Sequence, residues 1–149
     1  MAIDRGAGTE IIRSIHLEAV AGTTEKPLIY GVQHHIYTVL SISAYKVGGT
    51  AGNWLTCFLT GYDANAGETA QINYIFRQDM SNEETFVWND KFSFNGHEPV
   101  DFTGPVDSVV KQDAIADQGS SVAQILYIDS QDAGDTFDVT CTYIDQNNA

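Results

Sequence analysis

Basic residues are scarce in this chain. Seven Lys and Arg stand against 20 Asp and Glu in 149 residues, for a formal net charge of −13. The seven are Arg5, Arg13, Lys26, Lys46, Arg77, Lys91 and Lys111. They are dispersed and form no cluster of the kind that neutralises phosphates, so no nucleic-acid partner is expected. The same charge repels anionic membrane surfaces. No apolar run approaches the roughly 18 to 20 residues that cross a bilayer, so no membrane partner is expected either. Two cysteines, Cys57 and Cys141, are too few for a disulfide framework, and no C-x-x-C spacing offers a zinc or redox site. They are expected as free thiols buried like small hydrophobes. The opening Met1-Ala2-Ile3-Asp4-Arg5-Gly6 lacks a basic segment followed by an apolar one, which predicts folding in a cytoplasm.

Leucine is also rare. Six Leu compare with 37 Val, Ile and Thr, a balance that suits pleated sheets better than helices. At this length the chain is expected to fold as one domain. Alternation can be counted in two places. Ile72, Tyr74 and Phe76 alternate with polar residues, interrupted by Ile75, and Phe137, Val139, Cys141 and Tyr143 alternate with Thr136, Asp138, Thr140 and Thr142. Similar runs cover 40–47, 54–62, 85–88, 91–94 and 124–129, and 11–20 fits a strand in this company. Turn signals separate them at short intervals: Gly48-Gly49, residues 63–67, Asn89-Asp90, Asn95-Gly96 and residues 132–135. The expected fold is an all-β antiparallel sandwich, jelly-roll-like or immunoglobulin-like, over residues 10–145. An arm at 1–9 and a tail at 146–149 flank it. Residues 104–121, with Pro105 and three carboxylates, read as a long loop with a helical turn over 109–115, and long loops are often contact surfaces.

The residues that could carry chemistry do not converge in sequence. His34 and His35 are adjacent, so in a strand they point to opposite faces, while His16 and His97 stand alone; no metal site is expected. Residues 129–135 space oxygen ligands loosely like a calcium loop, and a polar hairpin explains them equally well. Glu83-Glu84 near Asp79 reads as a solvated turn. Cys57 with His34 or His35 and an Asp is the one conceivable triad, with no sequence reason to select it. No Gly-x-Ser-x-Gly, phosphate-loop or His-Glu-x-x-His motif occurs, so no catalytic residue, cofactor or enzymatic activity is expected. The aromatics Trp54, Trp88, Tyr62, Tyr74, Phe86, Phe92 and Phe94 could stack on sugars. Most read as core, with Phe92 and Phe94 on one strand face and Trp54, Phe58 and Tyr62 on another.

Residues 29–96 contain the strand pair "IYGV…IYTVLSISAYKVGG", the strand "NWLTCFLTGYD" and the segment opening "ETFVWNDKFSFNG". In this order of strands and turns the stretch resembles small all-β accessory proteins of tailed-bacteriophage virions. The resemblance implies a β-sandwich that decorates or cements a capsid shell, or sits at the tail or fibre. Residues 99–121 depart from it, since the simplest members close there with a short strand pair, and no interface position is carried over.

The expected function is therefore that of a virion structural protein. It would be a capsid decoration or cement protein of a bacteriophage, assembled in the host cytoplasm, placed on the capsid exterior, and bound non-covalently to the major capsid protein and to itself as a trimer or dimer. Ile3 and Arg5 of the arm and Val109, Val110 and Ile115 of the long loop are the expected interface residues. The alternative is a tail-associated or fibre accessory protein that binds a receptor or glycan, marked by a surface-exposed Trp54 or Trp88.

Overall fold

The structure is a computed structural model that describes residues 9–21, 23–63, 68–97, 105, 107–111 and 122–147. Nine strands account for most of them: β1 (Thr9–Ala21), β2 (Lys26–Tyr30), β3 (His35–Gly48), β4 (Trp54–Asp63), β5 (Glu68–Asp79), β6 (Thr85–Trp88), β7 (Phe92–Asn95), β8 (Ile125–Ser130) and β9 (Thr136–Asn147). They form two antiparallel sheets. One has the order β1-β9-β3-β6, with β7 also on β3, and the other β2-β8-β4-β5. The pairs nest: β1 with β9, β2 with β8, β3 with β6 and β7, β4 with β5. β9–β3 and β8–β4 contacts then join them into sheets. This nesting is a double Greek key, which makes the sandwich a jelly roll and sets the immunoglobulin alternative aside. The strand equivalent to one jelly-roll edge is split at residues 89–91 into β6 and β7, which pair with successive halves of β3.

Period-2 burial makes the core. On β9, Phe137, Val139 and Cys141 are fully buried, and on β3 Tyr37, Val39, Ile42 and Ala44 face the same interior. The step from Val39 to Ile42 is three residues because the register with β9 shifts between Val39 and Ser41, a bulge that keeps both side chains inward. The opposite sheet contributes Leu55, Cys57, Phe76, Leu126 and Ile128. Cys57 and Cys141 are free and buried, as the sequence suggests.

The core also holds a charge. Lys46 continues the inward parity of Ile42 and Ala44 and is fully buried. Its ammonium donates to the carbonyls of Thr50 (2.5 Å), Met80 (3.0 Å) and Asn53 (3.4 Å) and lies 3.9 Å from Asp135 Oδ1. Asp135 in turn accepts from the Thr50 amide and the Asn53 side chain. One buried cation thus binds the loop after β3, the start of β4, the end of β5 and the β8–β9 turn, adding a second donor to carbonyls that already accept from the amides of Asn53, Met80 and Gly52. Gly49 makes this possible, since its φ is +126° and a Cβ there would lie 2.1 Å from Asp135 Oδ1.

Several boundaries differ from the sequence expectation. Thr9 already pairs with Asn147, so the sheet begins on the last residue of the expected arm, one before the expected 10. Gln146 and Asn147 belong to β9 and pair with both β1 and β3, so these two residues are strand and not tail. β3 begins five residues before the expected 40. Of the long loop, residues 109–111 form a helical turn, and the remainder of the expected 109–115 turn lies outside the described residues.

Candidate functional site

The two exteriors of the sandwich are built from different residues. On the β2-β8-β4-β5 sheet, Leu55 and Cys57 point to the core, so Trp54, Thr56, Phe58 and Thr60 point outward. Cross-strand register then places Pro27, Tyr127, Phe58 and Tyr74 side by side across the four strands. The next level holds Tyr30, Ile125, Thr60 and Ile72. Phe58 stacks on Tyr127 at 5.5 Å and tilts against Tyr74 at 6.1 Å between ring centroids. It is only 3% exposed although it faces away from the core, because its neighbours close over it. Tyr30 and Tyr74 are 64% and 65% exposed.

The register shift between β4 and β5 decides this. Cys57 pairs with Phe76 and Phe58 with Tyr74, leaving Ile75 as the extra residue of a bulge. Ile75, which interrupts the alternation in sequence, is therefore the point where β5 changes face. Phe76 enters the core while Ile72 and Tyr74 face out, so the three do not share a face as strict alternation predicts. Trp54 and Phe58 do share a face, but it is the outer one, which corrects the expectation that they fill the core. Phe92 and Phe94 share the inner face of β7, opposite Val39 and Tyr37. The Tyr62 side chain lies outside the described residues.

Polar groups flank the aromatic row. Arg77 lies with its guanidinium carbon 4.0 Å from the centroid of the Trp54 ring, and its Nε donates to Thr56 Oγ1 at 3.3 Å. Tyr74 and Arg77 together line a shallow depression of about 330 Å³. Asp129 stands on the same level as Thr56 and Arg77. Burial pushes its carboxyl above the usual range, Glu25 adds to this and Arg77 opposes it. Burial likewise raises Tyr127, helped by Glu25 and Tyr30.

A second charged group lies where β1, β3 and β9 meet. Asp145 Oδ2 accepts from Arg13 Nε at 3.0 Å, and Oδ1 pairs with His35 Nδ1 at 2.6 Å. His35 stacks on Tyr37, which meets Tyr143 edge-on. Burial raises both phenols. The cluster links three adjacent strands through one carboxylate and works as a cross-strand clamp.

The residues singled out in sequence are distributed as follows. Val109 and Val110 are 70% and 78% exposed on their helical turn, where Lys111 pairs with Asp107 at 2.7 Å; Ile3, Arg5 and Ile115 lie outside the described residues. Trp54 is half-buried under Arg77, and Trp88 is half-buried against Phe76 at 5.8 Å, so neither indole is bare. His34 sits in a turn with φ +65°, not in a strand, while His35 opens β3. His16 pairs with Thr140 across β1 and β9. The calcium-like spacing does not converge: Asp129 faces outward on β8, Asp132 Oδ1 accepts from the Gly134 amide, and Asp135 turns in to Lys46. Glu84 accepts from the Ser81 amide in a turn. Burial pushes Cys141 up to about 12 and Cys57 higher, so neither offers a thiolate at neutral pH.

Sequence reading missed Lys46, Asp135, Asp145 and Tyr30. Parity carries the signal for two of them, since Ile42-Ala44-Lys46 and Phe137-Val139-Cys141-Tyr143-Asp145 keep one face.

No protein-family model matches the chain, and no curated protein does. Solved structures resemble it loosely in chain path. A pilus protein of Bacillus endospore appendages shares 13% identity over 100% of this chain and 97% of its own, at a TM-score of 0.47. A xylan-binding domain from Paenibacillus barcinonensis shares 14% over 97% of this chain and 85% of its own, at 0.48. A chain of infectious bursal disease virus shares 9% over 93% of this chain and 32% of its own, at 0.48. None of these likenesses bears on what the chain binds.

Proposed function

We propose that this protein is an accessory structural component of a tailed-phage virion that attaches non-covalently to the capsid shell as a decoration or cement protein. The observation that supports the reading is the edge of β1. Among the described residues this strand is hydrogen-bonded to β9 alone and forms the end of its sheet, and it exposes Ile11 and Ile12. An edge of this length offers a row of main-chain donors and acceptors to a partner strand. The bulge between Leu17 and Val20, where Ala19 takes φ +53°, bends the strand and confines a pairing edge to its first half. Strand addition of this kind needs no catalytic residue and no cofactor.

The test is stoichiometric. Shells of the parent phage assembled without this protein are mixed with the purified chain and pelleted, and bound copies are counted against the shell subunit. Binding at copy numbers comparable to the shell subunit is expected, with a tenfold or greater loss for Ile12→Lys, which places a charge on the edge. Absence of binding, or full binding by that variant, would overturn this reading.

A further inference from the structure

We propose that the outer face of the β2-β8-β4-β5 sheet is a binding site for a neutral polysaccharide, with Tyr74 and Tyr30 as stacking platforms and Arg77 as the hydroxyl-recognising group. This goes beyond the shell-binding reading, which uses the opposite sheet's edge, and does not depend on it.

Three features of the face point to this ligand. First, its apolar area is rich in aromatic rings. Tyr74 and Tyr30 expose most of their surface, and Phe58, packed between Tyr127 and Tyr74, holds the row rigid from beneath. The C–H faces of pyranose rings pack on such rings, and tyrosine adds a hydroxyl for the sugar's own hydroxyls. Tyr127 and Tyr74 stand two strands apart, about 10 Å, so the row runs across the sheet as an extended track and not as a single pocket. Second, a fixed donor borders the track. Arg77 is held by stacking on Trp54 and by its bond to Thr56, and it shares the depression of about 330 Å³ with Tyr74. A planar guanidinium locked in this way presents a fork of donors to the hydroxyls of a ring stacked on Tyr74. Third, charge selects against the other occupants. Asp129 stands level with Arg77, Asp79 follows on the same face of β5 and Glu25 acts on Asp129, in a chain of net charge −13. Anionic polymers are repelled, and a second copy apposed through this face would bring like charges together. A neutral glycan meets neither penalty.

The experiment is affinity electrophoresis of the intact chain in native gels cast with hydroxyethylcellulose, galactomannan, xylan or dextran. Retardation by at least one of these is expected. Tyr74→Ala and Tyr30→Ala should each weaken it tenfold or more, and Arg77→Gln should weaken it several-fold. Tyr45→Ala, an exposed tyrosine on the opposite exterior, should leave it unchanged. Near-ultraviolet circular dichroism confirms that each variant is folded. No retardation in any gel overturns the proposal, as does retardation that survives Tyr74→Ala and Tyr30→Ala together. Sedimentation velocity adds a further outcome. A dimer that Tyr74→Ala dissociates would assign the face to a second copy and overturn the glycan site. Shell binding is read separately by pelleting, so failure of one reading leaves the other standing.

Discussion

The two exteriors of this jelly roll face the same solvent and are built on strands of the same type, yet they differ in chemistry. On the β1-β9-β3-β6 sheet the outward positions include a hydroxylic group at the β9–β3 seam, Thr140 and Thr142 on β9 and Thr38, Ser41 and Ser43 on β3, with Ser93 of β7 beside Thr38, while Tyr45, Val47 and Val87 are exposed singly on the same exterior. The hydroxyls pair with neighbours, as in Thr38 with Ser93 and Thr140 with His16. On the β2-β8-β4-β5 sheet the corresponding positions hold Tyr127, Phe58 and Tyr74. A sheet exterior with no further role is adequately served by short hydroxylic side chains, which suit β-structure and remain hydrated. Exposed aromatics are costly to leave in water and mark a surface that meets something. The comparison teaches that only one exterior carries a packed row of rings across its strands, while the other meets solvent through short hydroxylic groups at its centre and offers contact at its β1 edge.

The comparison can be broken most directly at Phe58. If the aromatic row is a packed layer, Phe58→Ala should lower unfolding free energy by about 3 kcal/mol, as truncation of a buried aromatic does, although the residue faces away from the core. Urea denaturation reads this, and a loss below about 1 kcal/mol would show that the row is not packed. Arg77→Ala comes next. Removing the guanidinium from Trp54 should cost about 0.5 to 1 kcal/mol and shift the tryptophan emission, with an unchanged spectrum counting against the stacked geometry.

Asp129→Asn should act in the opposite sense. Because burial raises the Asp129 carboxyl in the folded state, its protonated form favours folding, and that contribution is lost as pH rises through the folded value. The amide removes the loss. The melting temperature of Asp129→Asn should exceed that of the parent at pH 7, and the difference should close as pH falls below the ordinary aspartate value near 3.9. A gap that stays constant with pH would locate the effect elsewhere. The smallest change is expected on the hydroxylic exterior, where Thr140→Ala should stay within about 0.5 kcal/mol of the parent despite losing its bond to His16. A larger loss would mean that this face, too, is load-specific, and the contrast between the exteriors would weaken.

Much of the fold is legible in the sequence because period-2 burial is a local property. Phe137 to Tyr143 and the run at 85–88 can be read as strands from the chain alone, and the turn signals divide them. β2 is short, carries Pro27, and buries Leu28 and Ile29 in succession through a bulge, so no alternation marks it outside the resemblance. The candidate site was misplaced for a related reason. Ile75 looks like a flaw in an alternating strand, but whether such a flaw is tolerated in place or becomes a bulge depends on the register with the partner strand β4, which is set only when the two pair.

By itself the sequence determined an acidic, all-β, cysteine-poor domain, since composition and alternation bias each segment before any contact forms. Parity along β3 and β9 also carries Lys46 and Asp145 onto the inward face, a signal that goes unread until burial is known. Only the tertiary structure decided that the sandwich is a jelly roll, that Lys46 is caged by three carbonyls and Asp135, and that Phe58 and Tyr74 form an exterior and not a core. Those outcomes depend on which strands become neighbours and in what register, and register is fixed by long-range pairing and by single-residue bulges whose positions no local pattern specifies.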